Sequence, residues 1–145
     1  MKIFRFMSKE EFEKYKNNFT VKNNKKHEAK TNSIGFCFFN MEEYTPEEAM
    51  RFLSGIVSFD VCAIFETKEK LNKTFGIYAK PIKSTGNPFE DLLNLFSGFT
   101  DKFTANEYCI TEYNKKTMKL LKYSEEIWKQ WKPLEEQSKL KWIEV

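Results

Sequence analysis

The feature that most constrains this chain is how closely its strand-like segments follow one another. Residues 57–65 and 74–79, and again 107–111 and 117–123, are short runs rich in apolar and aromatic side chains. The links between them are shorter than the roughly dozen residues a parallel crossover takes. A sheet built this way is antiparallel or mixed, and its class is α+β. Residues 2–7 alternate, with Ile3, Arg5 and Met7 on one face and Phe4 and Phe6 on the other. Residues 33–39 are almost continuously apolar after Gly35, which predicts a strand buried on both faces. Residues 140–145 read as a closing strand or a docked tail.

Helices are marked by their caps. Ser8 followed by Glu11 is a capping box, with Phe12 and Tyr15 as the apolar side of a helix over 8–17. Thr45-Pro46-Glu47-Glu48 is a second start, carrying Ala49, Met50, Phe52 and Leu53 and ending at Gly55. A helical turn is expected at 67–71. Asn87-Pro88 opens a short helix with Phe89, Leu92, Leu93 and Phe96, ended by Gly98. Ser124 starts a last one carrying Ile127, Trp128 and Trp131, interrupted at Pro133. Residues 18–33 form a long polar loop, a type of segment that is either mobile or functional. Nothing divides residues 1–145, so a single domain is expected.

Composition narrows the chemistry. Aromatic residues make up 17% of the chain and Phe alone accounts for 15 residues, enough apolar area to exclude a disordered chain. The 24 basic and 21 acidic residues make a mixed-sign surface, not a strongly basic nucleic-acid footprint. Nearly all the basic residues are Lys; Arg5 and Arg51 are the exceptions. The odd count and apolar settings of Cys37, Cys62 and Cys109 predict buried free thiols in a reducing compartment. No metal site is expected, because there is no CxxC and His27 is the lone histidine. No signal peptide and no apolar run of ~20 residues is visible, so a cytoplasmic protein without membrane contact is expected.

Three features could carry chemistry. Arg5 interrupts an apolar strand face, where a guanidinium needs an ion-pair partner, water, or a ligand's phosphate or ribose oxygens. Glu107 opens the run Glu107-Tyr108-Cys109-Ile110-Thr111. Pointed into a cleft, it could accept a hydrogen bond from a sugar hydroxyl or stabilise an oxocarbenium ion; Glu112 competes for that role. Ser33 and Gly35 precede Phe36 and Phe38. Glycine in a strand marks close approach of a ligand or another backbone, and a Phe there could stack on a flat ring or simply fill the core.

Together these features resemble the ADP-ribosyltransferase-like superfamily, small proteins that bind NAD in a split mixed sheet. Ile3-Phe4-Arg5-Phe6-Met7-Ser8 resembles its first-strand motif. Ser33-Ile34-Gly35-Phe36-Cys37-Phe38-Phe39, followed by Pro46-Glu47-Glu48-Ala49 and Phe52-Leu53, resembles its second, and Asn106-Glu107-Tyr108-Cys109-Ile110 its third. The resemblance spans about residues 2–123. It implies a small mixed or antiparallel split β-sheet with flanking helices, NAD as substrate, and ADP-ribose transfer to a protein or nucleic-acid acceptor. It gives Arg5 the NAD phosphate or adenosine ribose, Ser33 or the Gly35 backbone the nicotinamide side, and Glu107 the catalytic position on the nicotinamide ribose; Phe36, as a ring to stack on, is counted with the cofactor-binding residues. The sequence departs from the pattern in two places: Cys37 stands where one branch has Tyr, and Ala105 stands where a Gln or Glu often precedes the catalytic Glu. The alternatives are an inactive binding or inhibitory protein on the same fold, of the kind that acts against a host or phage factor, and an unrelated structural α+β domain.

Overall fold

The alternation in residues 2–7 produces the central strand of a sheet. A computed structural model describes residues 1–22, 35–52, 59–79, 86–90, 92–93, 102–125 and 140–145. Residues 23–34, with Ser33 among them, Leu53, Gly55, Phe96, Gly98 and residues 126–139, with Trp128 and Trp131, lie outside the described residues.

Along the chain run β1 (Lys2–Met7), α1 (Lys9–Lys16), β2 (Val21–Lys22), β3 (Phe36–Asn40), α2 (Pro46–Phe52) and β4 (Val61–Glu66). Then come β5 (Asn72–Ala79), β6 (Lys102–Ile110), β7 (Glu112–Tyr113), β8 (Lys119–Ser124) and β9 (Ile143–Glu144). Seven strands form one sheet in the order β5-β6-β3-β1-β4-β8-β9, and β2 pairs separately with β7. Every described strand pairing is antiparallel, the class expected, although the closely linked strands, β4 with β5 and β6 with β8, are not neighbours in the sheet. The closing strand is present as β9, which pairs with β8.

The sheet divides at its centre. β1 pairs with β4 along its whole length, from Lys2 opposite Glu66 to Met7 opposite Val61. Its ladder with β3 is confined to Ile3 opposite Asn40 and Phe4 opposite Phe39. β3 then continues with β6, through Phe38 opposite Tyr108, Cys37 opposite Cys109 and Phe36 opposite Ile110. Beyond Phe4, β1 and β3 therefore run with different neighbours.

Period-two alternation sends side chains into two apolar layers. Ile3 and Met7 meet Phe12 and Tyr15 of α1, together with Phe36, Phe38, Phe65 and Tyr113. Phe4, Phe6 and Phe39 meet Ala49 and Met50 of α2, together with Cys62, Ile64 and Ala105. Phe4, Phe12, Phe38 and Phe65 are fully buried. At about 1.5–3 kcal/mol per buried side chain, these four rings alone contribute as much as a typical domain's whole net stability.

The caps explain the helix starts. Ser8 Oγ accepts from the Glu11 amide at 3.2 Å. Thr45 and Glu48 form a capping pair, with Thr45 Oγ1 accepting from the Glu48 amide and donating to the Glu48 carboxylate. Asn87 Oδ1 accepts from the amides of Phe89 and Glu90, the start expected there.

Three expectations are corrected. No helical turn follows Thr67; its hydroxyl accepts from the Glu69 amide and donates to the Thr117 carbonyl, tying the link to the start of β8. The polar stretch after α1 is not wholly a loop, because Val21, 3% exposed, pairs with Tyr113. β6 begins at Lys102, well before Glu107, because residues 102–109 pair continuously with β5.

Candidate functional site

Arg5 lies on the α1 side of β1, and each of its three guanidinium nitrogens donates to a protein acceptor. Its Nε and Nη2 donate to the two carboxylate oxygens of Glu11 at 2.7 and 2.9 Å. Its Nη1 donates to the Cys37 carbonyl at 3.1 Å, across the gap where β1 and β3 part. The Phe36 ring centroid is 5.1 Å from the guanidinium carbon. The Tyr113 hydroxyl donates to the same Glu11 carboxylate at 2.6 Å. The Arg5 and Glu11 side chains are only 21% and 14% exposed. Burial opposes the charge on Arg5, and the Glu11 carboxylate more than offsets it, so the Arg5 pKa is raised. Burial, together with the Glu11 charge, pushes the Tyr113 hydroxyl up. The ion-pair outcome weighed for Arg5 is the one the structure shows. Glu11 therefore leaves its half of the capping box, since its carboxylate is turned to Arg5 and Tyr113.

Glu107 occupies the middle of β6, not its start. It shares a strand face with Ala105 and Cys109, so it projects to the layer that contains Ala105 and Tyr78, opposite the layer of Arg5. Tyr78 donates its hydroxyl to the Glu107 carboxylate. Burial and the adjacent carboxylate push the Tyr78 hydroxyl far above its ordinary range. Gly76 lies beside them, and a Cβ there would overlap both the carboxylate and the Tyr78 ring. Glycine suits the position because the Glu107 and Tyr78 side chains fill the space a Cβ would take.

Cys37 and Cys109 face each other directly across β3 and β6, with Cα atoms 4.2 Å apart, and are joined in a disulfide. This corrects the expectation of three free thiols. Antiparallel neighbours of a non-hydrogen-bonded pair approach to about 4.5 Å, which brings two sulfurs on one face together. Cys62 alone is free, and its burial raises its thiol pKa well above the ordinary value. The sulfurs of Cys37 and Cys109 and a carboxylate oxygen of Glu107 all lie within 4.8 Å of one another.

The remaining predicted residues have structural duties. Gly35 has φ +110°, and a Cβ there would stand 2.7 Å from Thr111 Cα and closer still to the Ile110 carbonyl. The close approach is to another backbone. Phe36 is 7% exposed and sits edge-on to Tyr113, so it belongs to the core and is not open to stack on a flat ring.

The three motif strands are thus neighbours, in the order β6-β3-β1, while Arg5 and Glu107 point to opposite faces. Sequence reasoning missed Tyr78 and Gly76, which two strand neighbours of opposite size in a β5-type run could have signalled. It also missed Glu43, which accepts from Asn106 Nδ2 at 2.7 Å and from the Tyr108 hydroxyl. The Tyr108 hydroxyl, aided by the Asn106 amide and the Lys73 charge, outweighs slight burial and holds Glu43 below the usual carboxylate range. A cavity of about 530 Å³ lies elsewhere, lined by Tyr15, Lys16, Lys115, Lys119, Tyr123 and Glu144 among others, and contains none of the predicted site residues. Among the described residues no helix is long and apolar enough to cross a membrane. The chain matches no family model, no curated protein and no solved structure.

Proposed function

We propose that the chain is an ADP-ribosyltransferase-like protein that acts on NAD through Glu107. The observation that carries this reading is the side-by-side packing of β6, β3 and β1, the strands that bear the three family-like motifs, with a partly exposed carboxylate on β6. Tyr78 fixes one oxygen of that carboxylate and leaves the other to accept from a ribose hydroxyl. When the nicotinamide–ribose bond breaks, positive charge builds on the sugar, and a held carboxylate favours it. The residues fit the ribosyl end of NAD. They do not fit the phosphate end, because Arg5 is bonded to Glu11 on the other layer. In this reading Arg5 is a brace between β1 and β3, not a ligand.

The test is NAD turnover, as hydrolysis or transfer to added protein and nucleic-acid acceptors. Glu107→Gln is expected to lose about hundredfold or more, the usual size of one lost electrostatic stabiliser. Absence of any NAD-dependent product, with no change in melting temperature at saturating NAD, would overturn the proposal.

One observation favours a second reading, an inactive binding protein. β5 is an edge strand of eight residues, and its Phe75 and Ile77 are 67% and 70% exposed on one face. Among the described residues nothing pairs with its outer edge. Such an edge suits an extended segment of a partner protein, which would add as a further strand. A complex that survives Glu107→Gln and is lost in Phe75→Lys supports it.

A further inference from the structure

We propose that reduction converts the Cys37–Cys109 disulfide into a binding site for a thiophilic divalent cation, held by both thiolates and the Glu107 carboxylate. Glu107 is shared with the transferase reading, but the proposal does not depend on that reading. Cys37 and Cys109 occupy opposed positions on β3 and β6, and Glu107 is two residues before Cys109 on the same strand, so all three side chains share one face. Their candidate ligand atoms already lie within 4.8 Å of one another.

A tetrahedral zinc ion with sulfur bonds of about 2.3 Å and an oxygen bond of about 2.0 Å needs ligand atoms about 3.5–3.8 Å apart. Once the S–S bond is open, side-chain rotation alone covers the difference, with the strand backbone held by its ladder. Two thiolates select zinc or cadmium over magnesium or calcium, which prefer all-oxygen sites. Three protein ligands leave a fourth position open. Tyr78 already donates to Glu107 and so would orient the liganding carboxylate, the usual duty of an outer partner. Gly76, lacking a Cβ, leaves the Glu107 carboxylate and the Tyr78 ring the space they share. Cys109 is fully buried while Cys37 and Glu107 are partly exposed, which leaves a path for the ion from one side.

The chemistry balances with a phosphine reductant. Phosphine, disulfide and water give phosphine oxide and two thiols; the divalent cation then displaces the two thiol protons. In the oxidised protein both sulfurs are spent on each other and the site is closed.

The experiment is titration of the full chain with cadmium, before and after phosphine reduction, following the ultraviolet thiolate-to-cadmium absorption. The expected result is one cadmium per reduced chain, none in the oxidised chain, and affinity that falls as pH falls because protons compete. Glu107→Gln should weaken binding at least about tenfold. Cys37→Ser should remove one sulfur ligand and lower the absorption, while Cys62→Ala should bind as the unaltered chain does. Circular dichroism of each reduced variant, compared with the reduced unaltered chain, reports whether it folds. Equal binding by oxidised and reduced chains, no thiolate absorption in a folded reduced chain, or unweakened binding by Glu107→Gln would each overturn the proposal. A chain that turns over NAD yet binds no cadmium refutes only this site; one that binds cadmium with no NAD product refutes only the transferase.

Discussion

Replacing Arg5 with methionine separates a brace from a ligand. The substitution keeps a long, flexible apolar stem but removes the cation. Glu11 then holds a carboxylate that is 14% exposed, with the Tyr113 hydroxyl as a remaining donor. Removing one partner of a buried pair costs about 3–5 kcal/mol. Arg5 is 21% exposed, so water relieves part of the penalty, and the lower end, about 3 kcal/mol, is expected. Arg5→Met with Glu11→Gln removes the stranded charge and should recover about 2 kcal/mol of that loss, because the two residues are directly coupled. Urea unfolding is the assay: the midpoint should fall at nearly constant slope in the single variant and return most of the way in the double. A single variant within about 0.5 kcal/mol of the unaltered chain, or simple addition of the two single effects, would show that Arg5 is not a brace. A phosphate ligand would behave differently, weakening NAD binding while leaving the urea midpoint almost untouched.

The other predictions concern the same framework. Reducing the Cys37–Cys109 bond releases a loop with a sequence separation of 72 residues, and chain entropy sets the expected loss at up to about 4 kcal/mol, read as a lower urea midpoint. A midpoint unmoved by reductant would show that the bond does not constrain the unfolded chain. Gly35→Ala should cost at least about 2 kcal/mol, because positive φ and a backbone overlap act together there. Gly86→Ala, at φ +83° with open space around it, should lose only about 1–2 kcal/mol in parallel thermal melts. Tyr78 and Tyr113 both have folded pKa values raised above the unfolded value of 10.0. Their contribution is therefore complete below pH 10 and is lost as pH rises above it, at about 1.4 kcal/mol per pH unit for each tyrosine. Alkaline unfolding followed by tyrosinate absorption should show these two ionising only as the chain opens; full ionisation in a still-folded chain would contradict it.

Much of the framework was legible because it rests on local rules. The alternation around Arg5 gives β1, and Ser8, Thr45 and Asn87 act as the caps their side chains suit. An antiparallel sheet was expected from short links, but the strands those links join, β4 with β5 and β6 with β8, are not neighbours, so the strand order was not legible. Lys102 to Asn106 alternate polar and apolar side chains, the mark of a half-buried strand, so the early start of β6 was legible and the expectation of a start at Glu107 overlooked it. The site was less legible because its determinants are nonlocal. The disulfide depends on the register that sets Cys37 opposite Cys109, which an odd cysteine count conceals. Arg5 had two plausible claimants, a ligand and a carboxylate, and only the position of α1 brings Glu11 to it. Alternation alone could have given the opposite faces of Arg5 and Glu107, had the register from β1 through β3 to β6 been known.

In the function proposed above, NAD meets this chain at Glu107 and not at Arg5. Amide chemical-shift mapping of the isotopically labelled chain during an NAD titration tests it most directly. Shifts are expected at Gly76, Tyr78 and Glu107, with the Arg5, Glu11 and Tyr113 amides unmoved. Shifts centred on Arg5 and Glu11, or no shifts at millimolar NAD, would contradict it.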